Sequence, residues 1–266
     1  MISPGEGEVL LNVVFFGVQA LLFLGMIAMQ IGGHRYGLSR RSADAVAGSE
    51  GTAAVEATLF AILGLLVAFT FAGADTRLDA RRKLLIEESN AIGTAYMRLD
   101  LLRPEDESIL KDEMRRYVDS RLAYYDQLAD FQAAGLERRR SDQLEQDIWT
   151  HAVAASARTG DSRAALLVLQ GLNAMFDLAT KRYAALRTHV PLAIFVLLIV
   201  MALACSFFAG IGMSKRRRPS YLHMVIFAGV MAVTAYVILN LEFPRAGFGH
   251  LRGLDAFLRE QRAAMR

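Results

Sequence analysis

Four stretches of this chain are apolar over roughly the length that crosses a lipid bilayer, about 20 residues of helix. They are Val9 to Ile31, Ala53 to Ala74, Val190 to Met213 and Tyr221 to Leu241. Glu56, near the start of the second, is the one Asp, Glu, Lys or Arg within them. A charge at mid-membrane is expensive, so this scarcity predicts true spans rather than buried helices of a soluble core. The composition agrees. The chain is 54% hydrophobic yet 21% charged, and both hold only if oil and charge are segregated along it. The expected fold is all-α, an integral membrane protein with four transmembrane helices. No Lys or Arg precedes the first span, and it is longer than a signal-peptide core, so it is expected to be retained. Ala45-Val46-Ala47 resembles a cleavage site but sits well past the apolar run.

The formal net charge of +3 does not point to nucleic acid. Basic residues gather at span ends: Arg35, Arg40 and Arg41; Arg77, Arg81, Arg82 and Lys83; Lys181, Arg182 and Arg187; Lys215 to Arg218. Membrane anchoring explains that distribution, with the lipid bilayer as partner. The single cysteine, Cys205, lies inside a span and cannot form an intrachain disulfide. The five histidines are scattered without metal-ligand spacing. Neither a Gly-rich phosphate loop nor a nucleophile elbow is present. No enzymatic activity, cofactor or metal is expected.

Residues 75–189 read as polar helices. The second span continues as a helix through residues 77–102. Arg103-Pro104 interrupts it, because proline disfavours helical geometry in the residue before it. Pro104 then suits the first turn of a new helix, and Glu105, Asp106 and Glu107 suit its dipole. That helix carries Leu110, Met114, Tyr117, Leu122, Tyr125, Leu128 and Phe131 at helical spacing, and Gly135 is expected to end it. A third polar helix is expected from about Ser141 to Arg158, with Trp149 as its large anchor. Thr159-Gly160-Asp161-Ser162 reads as a turn. The last helix shows Leu169, Leu172, Phe176, Tyr183 and Leu186 on one face and feeds through His189-Val190-Pro191 into the third span. The expected organisation is therefore residues 1–76 as the first two spans with a basic loop, 77–189 as an extramembrane helical bundle, 190–244 as the last two spans, and 245–266 as a basic tail.

Four segments resemble the bestrophin-like domain family of bacterial membrane proteins: "EESNAIGTAYMRLDLL" (87–102), "RRYVDSRLAYYD" (115–126), "NAMFDLATKRYAALRTHVP" (173–191) and "LNLEFPRAGF" (239–248). The resemblance covers roughly residues 50–266. A more distant one reaches the bestrophin anion channels, whose Leu-Gly run, aromatic and following basic residues are matched by Leu63-Gly64-Leu65-Leu66-Val67-Ala68-Phe69, Arg77 and Arg81-Arg82-Lys83. Bestrophins carry two tryptophans after the arginine, where this chain has Leu78-Asp79. They line their neck with bulky side chains, where the matching face here is Ala57, Ala61, Leu65 and Ala68. The resemblance implies a homo-oligomeric channel for chloride or other small anions, in a bacterial cytoplasmic membrane, with bundle and termini cytosolic. Charge in the short loops favours the opposite orientation; basic collars on both sides weaken that signal, and the resemblance decides.

Each candidate site has two readings. The small face Ala57, Ala61, Gly64, Leu65 and Ala68 suits either a water-filled path or close helix packing in lipid. Phe60, Leu63, Val67 and Phe71 form either a dewetting constriction or a lipid-facing surface. Arg77, Arg81, Arg82 and Lys83 form either an anion-concentrating collar or headgroup anchors. Glu56, Glu87, Glu88, Asn90, Glu242 and Arg245 are the polar candidates: Lys83–Glu87 and Arg81–Glu88 form either bundle-holding pairs or a solvated face, and Glu242 either pairs with Arg245 or the collar or is an interfacial cap. The alternative function is a non-conducting membrane scaffold or sensor whose bundle binds a partner protein.

Overall fold

The structure, a computed structural model, describes residues 4–40, 49–128, 130–214, 218–243 and 255–265. Among them every regular element is helical. In chain order these are α1 (Pro4–Arg40), α2 (Ser49–Arg98), a 3₁₀ turn (Leu99–Leu101), α3 (Pro104–Asp126), α4 (Phe131–Arg158), α5 (Ser162–Arg187), α6 (Leu192–Met213), α7 (Tyr221–Glu242) and α8 (Asp255–Ala264). Among the described residues, four helices are long and apolar enough to cross a membrane. Arg41, Lys215, Arg216 and Arg217 of the expected basic loops lie outside the described residues.

Two compact units divide the chain. One holds Leu11–Arg77 and His189–Pro244 and contains the apolar runs of α1, α2, α6 and α7. Its interior is thin: Met26, Ala202 and Ala228 are buried, with Phe23, Leu203 and Met231 packed around them. Its outer surface is bulky and apolar, as Leu21, Leu192 and Val233 illustrate, which is what a hydrocarbon solvent permits.

Close helix approach replaces a large core here. A Cβ on Gly33 would stand 2.0 Å from the Phe207 carbonyl oxygen, and one on Gly210 would stand 2.1 Å from that of Gln30. Backbones this near admit only glycine. Gly210→Ala is therefore expected to destabilise the protein by about 1–3 kcal/mol or more, the range for overpacking. Gly17→Ala or Gly229→Ala, where a Cβ meets nothing within 4 Å, should leave stability to thermal unfolding in detergent unchanged or raise it slightly, by up to about 1 kcal/mol.

The second unit holds Met1–Leu10, Leu78–Thr188 and Arg245–Arg266. Its core joins Ile92 and Leu99 to Leu110, Met114, Tyr117 and Val118 of α3, Ile148 and Ala152 of α4, and Val168, Leu172 and Met175 of α5. Arg103-Pro104 breaks α2 from α3 as the sequence predicts, with Pro104 at the first helical position. Gly160 turns α4 into α5 with a φ of +71°, the left-handed conformation glycine adopts freely.

Gly135 does not end a helix. The break falls earlier, at Gln127–Asp130, and α4 runs from Phe131 through Gly135. Asp130 decides the boundary: its side chain accepts from the backbone N–H groups of Gln132 and Ala133 at 2.9 and 3.1 Å, which outweighs one unfavourable glycine inside the helix. Asp161 caps α5 in the same way.

The chain's end also folds back on this unit. Leu258 and Met265 are buried in its core, Arg262 grips Asp119 through two hydrogen bonds of 2.7 and 2.9 Å, and Arg259 reaches Asp126 at 2.9 Å. Residues 255–265 are thus a docked amphipathic helix rather than the plain basic tail expected.

At the start of α3, Asp106 accepts two hydrogen bonds from Arg158, one of them 3.3 Å from Nε. Those bonds hold its carboxyl below the ordinary aspartate range, against the opposing effect of burial. A depressed carboxyl contributes stability above its unfolded pKa, near 3.9, and loses it as pH falls through the folded value. Thermal unfolding followed from pH 5 to 2 should fall more steeply for the natural chain than for Asp106→Asn.

Candidate functional site

The first half of α2 belongs to the membrane unit, and its residues separate by face. Ala57, Ala61, Gly64, Leu65 and Ala68 are all exposed in the single chain. Ala72 and Asp75 continue the same spacing of three and four residues, and both are exposed too. Nothing approaches within 4 Å of a Cβ placed on Gly64.

The four bulky residues expected on one neighbouring face do not share a surface. Phe60 packs edge-on against Phe227 at 5.7 Å, Leu63 is buried, and Leu63 and Val67 line a partly open cleft of this unit. Only Phe71 among the four is exposed. The helix turns three of these residues inward, toward α1, α6 and α7.

The basic collar is divided. Arg77 turns into the membrane unit, where its Nε donates to Glu242 Oε2 at 2.9 Å. Glu242 is fully buried and accepts as well from the backbone N–H of Val190 at 3.0 Å, with His189 Nδ1 at 3.3 Å. A carboxylate at the end of α7 thereby ties the end of this unit's stretch of α2 to the entry of α6. The Glu242–collar pairing is present, and Arg245 lies outside the described residues. Glu56 is half-buried, its carboxylate 3.6 Å from a Cβ built on Gly212.

The other collar residues belong to the bundle unit. Arg81 is buried and donates to the carbonyls of Ala185 and Thr188 at 3.1 and 2.9 Å. It covers backbone carbonyls at the end of α5, where a cation also meets the negative end of the helix dipole. Arg82 lies near Asp79 at 3.3 Å, and Lys83 near Glu87 at 3.9 Å, all at least partly exposed. Asn90 is exposed.

Glu88 pairs with Arg121, which the sequence reading did not name, and with Arg182, expected there only as a span-end anchor, rather than with Arg81. Its Oε1 accepts from Arg121 Nε and Nη2 at 3.0 and 2.7 Å, and its Oε2 from Arg182 Nη1 at 2.6 Å. Glu88 and Arg121 side chains are wholly enclosed, and Arg182 nearly so. One carboxylate meets two guanidiniums, and their positive charge also has an aromatic neighbour. The Tyr125 ring takes part of it: the Arg182 guanidinium carbon stands 3.6 Å and that of Arg121 5.0 Å from its centroid. Burial works against the Arg121 charge, but Tyr125 and Glu88 more than offset it and raise its pKa well above the ordinary value. Burial likewise pushes the Tyr125 phenol up to about 12, so it is a neutral hydroxyl at physiological pH.

Among the described residues no cluster of His, Cys, Asp and Glu is arranged to hold a metal ion. Lone alanines on a helix and paired, buried charges carry no catalytic geometry. What they offer is a small, uncovered face on a spanning helix and a bundle fastened by ion pairs.

A family model for the bestrophin-like domain matches residues 21–249. The chain belongs to the bestrophin-like family. The match begins well before residue 50 and so takes in the second half of the first span, from Leu21. A crystal structure of a bacterial bestrophin homologue from Klebsiella pneumoniae, in a point-mutated form, superimposes with a TM-score of 0.64 over 93% of this chain and 98% of that one. Sequence identity is 14%, so that likeness establishes the fold. A search of curated proteins returned no match.

Within this bestrophin-like chain, the sequence carried a faint signal for the two arginine partners of Glu88. Arg121 stands four residues from both Tyr117 and Tyr125 on the apolar stripe of α3, and Arg182 follows Ala179 on that of α5. A charge on an apolar stripe needs a buried partner, and Glu88 is a carboxylate on a core-facing stripe of α2.

Proposed function

We propose that copies of this chain assemble around an axis lined by the exposed stripe of α2, Ala57, Ala61, Gly64, Leu65 and Ala68, and that the assembly conducts small ions across a membrane. The observation that carries this reading is the uncovered small face. A lipid-facing helix gains from bulky apolar side chains, as α6 has at Leu192, Val196 and Val200. A run of exposed alanine and glycine instead suits neighbours packed closely about a closed ring. Family membership supports the same reading. The membrane is the bacterial cytoplasmic one, with the helical bundle and both termini in the cytosol.

Chloride and other small anions are the first choice of permeant. Kinship with the bestrophins supports it, as do Arg82 and the well-exposed Lys83. A second reading, passage of cations, is favoured by one observation: Asp75 is exposed on the stripe while Arg77 turns inward to Glu242. Purified protein in planar bilayers under a potassium chloride gradient decides between them. A reversal potential near that of chloride supports the first reading, and one near that of potassium the second. No current, with a working control channel, would leave a non-conducting scaffold or sensor whose bundle docks a partner protein.

A further inference from the structure

A cleft of about 370 Å³, open on the side where Val18 and Leu21 are exposed, lies among α1, α2, α6 and α7 of the membrane unit. That size falls toward the low end of small-molecule sites, about 300–1,000 Å³. Its walls are almost wholly apolar, formed by residues such as Leu22, Leu63, Ala202 and Ile238. Two side chains on the wall are polar. The Thr234 hydroxyl already donates to the Val230 carbonyl of its own helix at 2.8 Å. Gln19 differs: the residue is 8% exposed, and its Oε1 is buried without a hydrogen-bond partner.

An amide oxygen buried in a hydrocarbon setting without a donor is costly, since no water is at hand to relieve it. Gln19 sits near the middle of the first apolar run, far from either headgroup layer. A charged phospholipid head does not reach that depth cheaply. A neutral donor on an apolar chain does.

We propose that this cleft binds a single-chain, uncharged amphiphile from the bilayer, a long-chain alcohol in chemical class. Its chain lies against Leu63, Ala202 and Ile238, and its hydroxyl donates to Gln19 Oε1. The site is separate from the α2 stripe and does not depend on ion conduction.

The test uses the full chain in lipid nanodiscs with a photoreactive diazirine derivative of decanol, and the labelled residues are read by mass spectrometry. Labelling should concentrate on the cleft wall. Decanol should compete for it at least about tenfold better than decane, the factor expected for one buried hydrogen bond. Gln19→Leu should keep the labelling and erase the preference for the alcohol. Gly25→Leu should abolish labelling by filling the space; a Cβ there meets only Leu203 Cδ2, at 3.4 Å. Labelling spread evenly over lipid-facing residues such as Leu192 and Val200, or equal competition by decane and decanol on the unsubstituted chain, overturns the proposal whatever the variants do.

Discussion

Glu88→Ala should destabilise the helical bundle by about 3–5 kcal/mol, the cost of stripping one partner from a buried ion pair. The reason is arithmetic of charge. Arg121 and Arg182 are enclosed, and both pair with this carboxylate. Without it, two enclosed guanidiniums stand close together beside Tyr125 in a medium that screens poorly. Glu88→Gln should fall between, since an amide accepts a hydrogen bond but offers no charge. The decisive comparison is a triple variant in which Glu88, Arg121 and Arg182 become Leu, Met and Leu. Apolar replacement of a whole buried cluster is often neutral or stabilising, so the triple variant should recover most of the loss. Hydrogen exchange of the α3 and α5 amides gives the readout. A triple variant no better than Glu88→Ala would mean that the cluster specifies the packing itself.

A cysteine at Ala61 or Ala68 should make conduction sensitive to a charged, water-soluble thiol reagent. Modification there should cut the current by about tenfold or more, because a bulky charge would sit in the narrow path. The native Cys205 is buried and should leave the unsubstituted protein unaffected. Val200→Cys, on the bulky outer face of α6, is the control and should not respond. Block at Val200 and none at Ala61 would remove α2 from the axis.

Much of the fold was legible because its signals are local and strong. Runs of hydrocarbon as long as Val190 to Met213 have few alternatives, and Arg103-Pro104 imposes its break through covalent geometry. Residues 63–96 lie within the single helix α2, as the absence of a breaker suggested. The α3–α4 boundary was misread because Gly135 is a visible punctuation mark, while the capping oxygen of Asp130 acts only through its geometry. Side-chain direction was harder still. Phe60, Leu63 and Val67 looked like one outward face, but which arc of an apolar helix meets its neighbours is set by those neighbours, and every arc is oily. For the same reason Arg77 and Arg81 looked like a free collar. Their partners, Glu242 and the carbonyls of Ala185 and Thr188, lie more than a hundred residues away. The C-terminal helix was read only as a basic tail because the acceptors of Arg262 and Arg259, Asp119 and Asp126, are equally remote.

The near-contact of Gly33 with the Phe207 carbonyl also sets a clock on biosynthesis. About 170 residues separate the two, so at about 5–20 residues per second the ribosome delivers α6 roughly ten to thirty seconds after α1. Throughout that interval the glycine face of α1 is inserted but unmatched, open to whatever helix the insertion machinery holds nearby. The finished membrane unit is then a product of waiting, and slowed translation between the second and third spans should lengthen the exposure of nascent α1 to membrane-resident quality control.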